Sequence, residues 1–283
     1  MKNLSEKKAG FSVNTLLMVL LFILIAFLTL LPFVSIVLAS FRPGTEIMRQ
    51  GIGLNFDTSV MSFANYKYVF TDDRYFTWFK NSIVITAVQT VLTLFVSAFV
   101  GYGFAMYDFK GKNVLFICVL FIMMVPLEII MLPLYQLVVK LKLINKIWGI
   151  ILPSIAGPLP IFFFRQYLSG IPKDFLDAAR IDGCSEYGIF FRIIMPLMKP
   201  SFAAMGIFVG MNSWNNYLWP LIVLRDNAKL TLPIGLGSLL TPYGNNYDLL
   251  VAGSVFSVVP IIILFLIFQK NFIDGMTAGG VKG

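Results

Sequence analysis

Residues 177–200, DAARIDGCSEYGIFFRIIMPLMKP, decide how this chain is read. Between two oily stretches, residues 173–199 carry Lys173, Asp174, Asp177, Arg180, Asp182, Glu186, Arg192 and Lys199. One charged side chain at a bilayer centre costs roughly 2.5–3.5 kcal/mol on insertion scales, so this set cannot be submerged together. The segment must lie in water, against a membrane face. Its residues spell two short helices and a bend. Pro172 suits a first helical turn, and Asp174 and Asp177 favour the positive helix end. Gly183 ends that helix and Ser185 caps a second. Phe190, Phe191 and Ile194 give the second helix an apolar side until Pro196 and Pro200 stop it. Ala178 and Ala179 leave a face that another surface can approach closely. A rigid, wet knob of this kind reads as a docking surface; on composition alone, a solvated loop is the alternative.

The rest of the chain explains why the knob needs a membrane beside it. Of 283 residues, 58% are hydrophobic and 13% charged, against about 25% charged in soluble domains. The net charge of +8 suits lipid headgroups and does not call for nucleic acid. Histidine is absent, which removes the commonest metal ligand and general base. Cys118 falls in an apolar span and Cys184 in the charged loop, so no structural disulfide and no metal site are expected. No phosphate-binding loop G-x-x-x-x-G-K-[ST] occurs, and no nucleophile–base pair stands out, so an enzyme is not expected.

Six apolar spans are expected, at about 16–39, 83–106, 114–139, 147–164, 202–224 and 249–268, in one all-α, polytopic membrane domain covering 1–283. The first is too long for a signal-peptide core and lacks a cleavage site, so it is expected to stay attached. Residues 40–80, with Tyr66, Tyr68, Tyr75 and Trp78, are expected to run partly along the interface. Gln89 is the most polar member of the second span. With both termini inside, the inner segments hold twelve Lys/Arg against ten outside, a small bias in the direction of the positive-inside rule.

The charged stretch resembles the cytoplasmic EAA signature loop of permeases from ATP-binding-cassette (ABC) importers. That pattern has acidic-Ala-Ala, Asp-Gly-Ala, a phenylalanine and Ile-x-x-Pro. Asp177-Ala178-Ala179, Asp182-Gly183-Cys184, Phe191 and Ile193-Ile194-Met195-Pro196 fill those places. Asp177 stands where glutamate is usual, and Cys184 where alanine is. The tail from Phe268 to Gly283 resembles the end of the maltose-type, sugar-importing branch: Gly275, Thr277, Ala278, Gly279, Val281, Lys282 and Gly283 match, Asn271 and Asp274 more loosely. Within that branch the likeness is greatest to arabino-oligosaccharide permeases of Gram-positive bacteria.

The resemblance implies a type I ABC importer permease fold in a bacterial cell membrane, with both termini cytoplasmic. It implies a second permease, a cytoplasmic ATPase dimer and an extracytoplasmic sugar-binding (lipo)protein as partners, beside membrane lipids. ATP and Mg would be bound by the ATPase and no cofactor by this chain. Asp177, Ala178, Ala179, Arg180, Asp182, Gly183, Cys184, Phe191 and Pro196 would couple to the ATPase, and the tail would reach along it. A bulky residue at Gly183 is then expected to abolish uptake or uncouple it.

Other candidates come from the residues themselves. Glu128 is the sole carboxylate deep in a span, between Pro126 and Pro133; it either lines the path or is accommodated structurally by a broken helix. Asn212, Asn215, Asn216 and Trp219 have the spacing of one helix face, which suits either a sugar path or packing against another membrane helix. Tyr243, Asn245 and Asn246 lie in a stretch of turn formers between the last two spans, which is either a plain connection or, as the resemblance implies, a prong that touches the binding protein. A stand-alone secondary transporter or channel is the rival class, and a non-transporting membrane scaffold a third.

Overall fold

A computed structural model describes residues 13–54, 56–241 and 244–278 of the chain. The described residues form helices α1 (Val13–Ser40), α2 (Gly44–Gln50), α3 (Ala64–Thr71), α4 (Asp73–Met106), α5 (Lys112–Met123), α6 (Leu127–Lys140), α7 (Ile147–Ile151) and α8 (Pro158–Leu168). Then follow α9 (Asp174–Ile181), α10 (Glu186–Ile189), α11 (Met195–Leu197), α12 (Lys199–Trp214), α13 (Leu218–Val223), α14 (Leu232–Gly237), α15 (Tyr247–Ser257) and α16 (Val259–Ala278). A two-residue hairpin, Leu240–Thr241 with Gly244–Asn245, is the one departure from helix among these elements.

Among the described residues, three helical stretches are long and apolar enough to cross a bilayer unbroken: Val13–Ser40, Asp73–Met106 and Tyr247–Gln269. Three more qualify as bent pairs, giving six when each pair counts once. They are Lys112–Met123 with Leu127–Lys140 at 104°, Ile147–Ser154 with Pro158–Leu168 at 41°, and Glu186–Leu197 with Lys199–Trp214 at 78°. Prolines account for the breaks. Pro126 lacks the N–H a continuing helix needs and caps α6 in extended geometry, and Pro158 opens α8.

Two boundaries differ from the sequence reading. The second span starts at Asp73, ten residues before 83, because the Asp72 carboxylate accepts from the backbone N–H of Arg74 at 2.8 Å and of Tyr75 at 3.4 Å. The fifth does not run unbroken over 202–224: α12 ends at Trp214 and α13 resumes at Leu218. Pro220 forces that break, since it has no N–H for the Asn216 carbonyl and its ring would clash with it.

The chain forms two compact units, Met1–Thr71 with Leu240–Val255, and Asp72–Leu239 with Phe256–Gly283. In the first, the apolar window of α1 has no buried residue. Its far end is pinned: Asn65 Nδ2 donates to the carbonyls of Ser40 at 2.9 Å and Arg42 at 2.8 Å, and the Gly44 N–H reaches Asp248 Oδ1 at 2.7 Å.

The second unit is built on α4, which packs against α8 and α12. Gly101 lets α4 and α8 meet backbone to backbone, for a Cβ there would stand 2.9 Å from the Arg165 nitrogen. Gln89, flagged as polar in the sequence, is buried and accepts from Ser213 Oγ of α12 at 3.1 Å. That bond satisfies two groups that lipid could not.

Candidate functional site

The charged stretch folds as two short helices and a bend. α9 turns Leu176 and Ala179 inward, onto a core with Tyr102, Met106, Phe164, Leu168, Ile189, Phe190 and Ile194. Asp182 is the C-cap and Gly183 takes φ +78°, a left-handed value that glycine adopts without strain. The N–H groups of Gly183 and Cys184 return to the carbonyls of Arg180 at 3.0 Å and Ala179 at 2.9 Å, the double closure of a Schellman end. Ser185 then caps α10, its Oγ accepting from the Gly188 N–H at 3.2 Å.

Beyond α10 the backbone widens into a π-helical turn, Phe190–Ile194. Pro196 was expected to stop this helix. Instead it sits in the first turn of α11, and the chain bends by 78° into α12, where Pro200 again occupies the first turn. The wider turn accommodates a residue that cannot donate to the Arg192 carbonyl.

The faces of α9 sort the coupling candidates. Opposite Leu176 and Ala179 lie Asp177, Ala178 and Ile181, all exposed. Ile181 is 87% exposed, with Phe175 beside it at 47%. Arg180, Asp182, Gly183, Phe191 and Pro196 are exposed, and Cys184 is half-buried. Ala179 is 3% exposed and packs inside its own chain, so of the two alanines only Ala178 is offered outward. Phe191 stacks on Phe95 of α4 at 5.9 Å, while Tyr187 stacks on Phe99 at 6.3 Å and Phe190 meets Tyr102 at 5.1 Å. Residues 95, 99 and 102 share one helix face, so α4 carries an aromatic seat for the second half of the loop.

A ring of ion pairs, which the sequence reading passed over, joins this loop to the turn after α4. Glu186 takes Arg180 as a fork, Nε to Oε1 at 2.8 Å and Nη2 to Oε2 at 3.3 Å, and also accepts from the Tyr107 hydroxyl. Arg180 Nη1 pairs with Asp177 at 3.0 Å. Asp108 holds Lys112 at 3.0 Å and Lys173 at 3.1 Å, and Lys112 also reaches the Tyr107 carbonyl at 2.7 Å. The Arg180 fork, and then Tyr107, hold the Glu186 carboxyl below its usual range; Lys112 and Lys173 do the same for Asp108. Burial, and then the Glu186 carboxylate, push the Tyr107 phenol up. Arg180 is thus committed within the chain. Residues 107 and 108 could have been suspected from one clue, a tyrosine and an acid closing a long apolar run beside lysines.

The other candidates are dispersed. Glu128 is exposed in the first turn of α6, at the 104° bend, where a carboxylate favours the positive helix end. Asn212, Asn215, Asn216 and Trp219 do not share a helix face, because α12 ends between them. The exposed amides of Asn212 and Asn215 donate to carbonyls one turn back, Phe208 at 2.8 Å and Met211 at 3.0 Å, and Asn216 is half-buried. Trp219 is buried and gives its indole N–H to the Gly149 carbonyl at 3.1 Å, which is packing within the chain. Asn246 caps α15 through the Leu249 N–H at 3.0 Å and reaches the Tyr68 hydroxyl at 3.3 Å. Asn245 pairs with Leu240 through its backbone. Tyr243, Gly279, Val281, Lys282 and Gly283 lie outside the described residues; Gly275 and Thr277 fall in α16.

Up to six apolar helical spans among the described residues, a rigid polar elbow and a sequence without a phosphate-binding loop define a class: the membrane component of a transport system. Residues 94–277 match the model of the binding-protein-dependent transport system inner membrane component family. The arabinooligosaccharides transport system permease protein AraQ of Halalkalibacterium halodurans is 59% identical over 263 residues, covering 93% of this chain and 94% of the relative. Its namesake in Bacillus subtilis is 57% identical over 274 residues, covering 96% and 98%. The lactose transport system permease protein LacG of Rhizobium radiobacter is 37% identical, covering 92% and 93%. In structure, the chain superposes with a TM-score of 0.81 and 24% identity on a chain of a bacterial ABC transporter involved in import of the acidic polysaccharide alginate, covering 92% and 96%. This chain belongs to the family of binding-protein-dependent transport-system inner-membrane components. It is a permease, the membrane subunit of an ABC importer.

Proposed function

We propose that the permease is one of two transmembrane subunits of an ATP-driven importer of arabino-oligosaccharides. The outward face of α9 carries this reading: Asp177, Ala178 and an 87% exposed Ile181 stand on a helix whose other face and both ends are fixed. A large apolar side chain held that far out in water by a rigid frame is an anchor for a partner's pocket. The partner is a cytoplasmic ATPase dimer, which binds ATP and Mg and does the hydrolysis. The termini and the elbow face the cytoplasm, and Gly275, Thr277 and the residues that follow run along that ATPase. A binding protein delivers sugar on the opposite face, near Tyr243, Asn245 and Asn246. Glu128, Asn212, Asn215 and Asn216 remain the path candidates, with Trp219 supporting them from behind. Closing of the ATPase dimer moves the elbow and opens the path outward; hydrolysis resets it. The two nearly full-length AraQ relatives support the choice of sugar.

The test is reconstitution with both permeases, the ATPase and the binding protein, titrating saccharides against ATPase rate and uptake. Stimulation by arabinotriose is expected. Stimulation by another sugar alone would overturn the substrate; uptake by this polypeptide without nucleotide would overturn the mechanism. Ile181→Asp is expected to release the ATPase while leaving membrane insertion intact.

A further inference from the structure

We propose that the 107–112 turn is a second lever in coupling, with Tyr107 and Asp108 as positioning residues that carry motion of α9 and α10 into α4 and α5. This rests on the docking role given above to α9. Five helix ends are linked, directly or through one side chain, to two adjacent residues. Tyr107 is the C-cap of α4 and its hydroxyl is bound to Glu186, the first residue of α10. Glu186 in turn holds Arg180, in the last turn of α9. Asp108 bridges Lys112, the first residue of α5, to Lys173, the N-cap of α9. α9 is therefore tied at both ends to the turn that joins α4 to α5.

The alternative route from α9 to α4 is the packed core around Leu176 and Phe190. Pulling that core apart costs free energy in proportion to the apolar area re-exposed, but the attraction is non-directional and does not by itself fix how α9 turns relative to α4. Charge-assisted hydrogen bonds restrain both distance and direction. The ring adds what the core lacks: when the elbow is drawn away from the membrane, Tyr107 and Asp108 draw the ends of α4 and α5 with it. Both residues can be changed gently. Asp108 is exposed and the Tyr107 ring can be kept, so Asp108→Asn and Tyr107→Phe should fold.

The complete importer, with both permeases, ATPase and binding protein, is placed in proteoliposomes, and arabinotriose imported per ATP hydrolysed is measured. The wild type sets the ratio. The combined Tyr107→Phe and Asp108→Asn variant is expected to keep its ATPase subunit bound while the ratio falls by about fivefold, the low end of typical coupling between sites. Asp108→Glu, which keeps the charge, is expected to restore most of the ratio lost in Asp108→Asn. An unchanged ratio in the combined variant overturns the proposal. So does loss of the ATPase from that variant, which would make the turn part of the docking surface. Ile181→Asp in the same assay separates the two ideas. If it leaves ATPase binding intact, the docking reading fails; if it breaks docking while the combined variant stays coupled, only the lever fails.

Discussion

Gly183 offers a sharp separation of shape from bulk. The family resemblance implies that a bulky residue there abolishes uptake or uncouples it. In the structure a Cβ at Gly183 meets nothing within 4 Å, so the chain itself has room; what is restrictive is φ +78°. An L-residue in the left-handed region costs roughly 1–2 kcal/mol, asparagine less, and a β-branched residue is a genuine outlier there. A penalty of about 1–2 kcal/mol changes a two-state population by a factor of about 5–30. The state at risk is the Schellman turn, whose two closing bonds of 3.0 and 2.9 Å aim α10 relative to α9. Coupled uptake should therefore fall in the order Gly, Asn, Ala, Val at position 183, with Asn near wild type although it is larger than Ala. Import per ATP hydrolysed, measured on the assembled importer, reads this directly. Valine performing as well as asparagine, or asparagine as badly as valine, would refute the conformational argument and return the position to a question of surface bulk.

Three further outcomes follow from the packing and the charges. Gly235→Ala would place a Cβ 2.1 Å from Trp78 Cδ2 in a buried contact, an overpacking worth about 1–3 kcal/mol; thermal aggregation of the purified protein should begin earlier, and an unchanged profile would contradict the contact. Trp219→Phe leaves the Gly149 carbonyl without its donor, at a cost of about 1–3 kcal/mol; stability should drop while the ranking of transported sugars stays as it was, and an altered ranking would put the indole back in the path. Glu186 and Asp108 have depressed pKa values, so the stability they contribute is complete above their ordinary values of 4.5 and 3.8 and is lost as pH falls through the lower folded values. The distance between spin labels at Lys110 and Asp182 should hold from neutral pH down to those ordinary values and lengthen only below them; lengthening near neutrality would show that other groups hold the turn.

What could be read from the residues followed length scales. Spans of about twenty apolar residues and a loop of eight charges are long-range features, and local chemistry seldom overrides them. The turn at Gly183 and the cap at Ser185 were also legible, because each serves backbone groups within a few residues. The breaks were harder. An apolar window scores Pro126 and Pro220 as minor interruptions, yet each removes a donor from the helix ladder and redirects the chain. At 220 that single missing N–H separates Asn212 from Trp219, dissolving a face that spacing alone had drawn. Asp72 shows the opposite error: its capping bonds start α4 ten residues before the apolar run does. The Tyr107–Glu186 bond spans 79 positions, and nothing local to either residue announces the other. Pairing across that separation is set by the α4–α8–α12 packing that brings the two turns together, so the contact becomes visible only once the helices have been assembled.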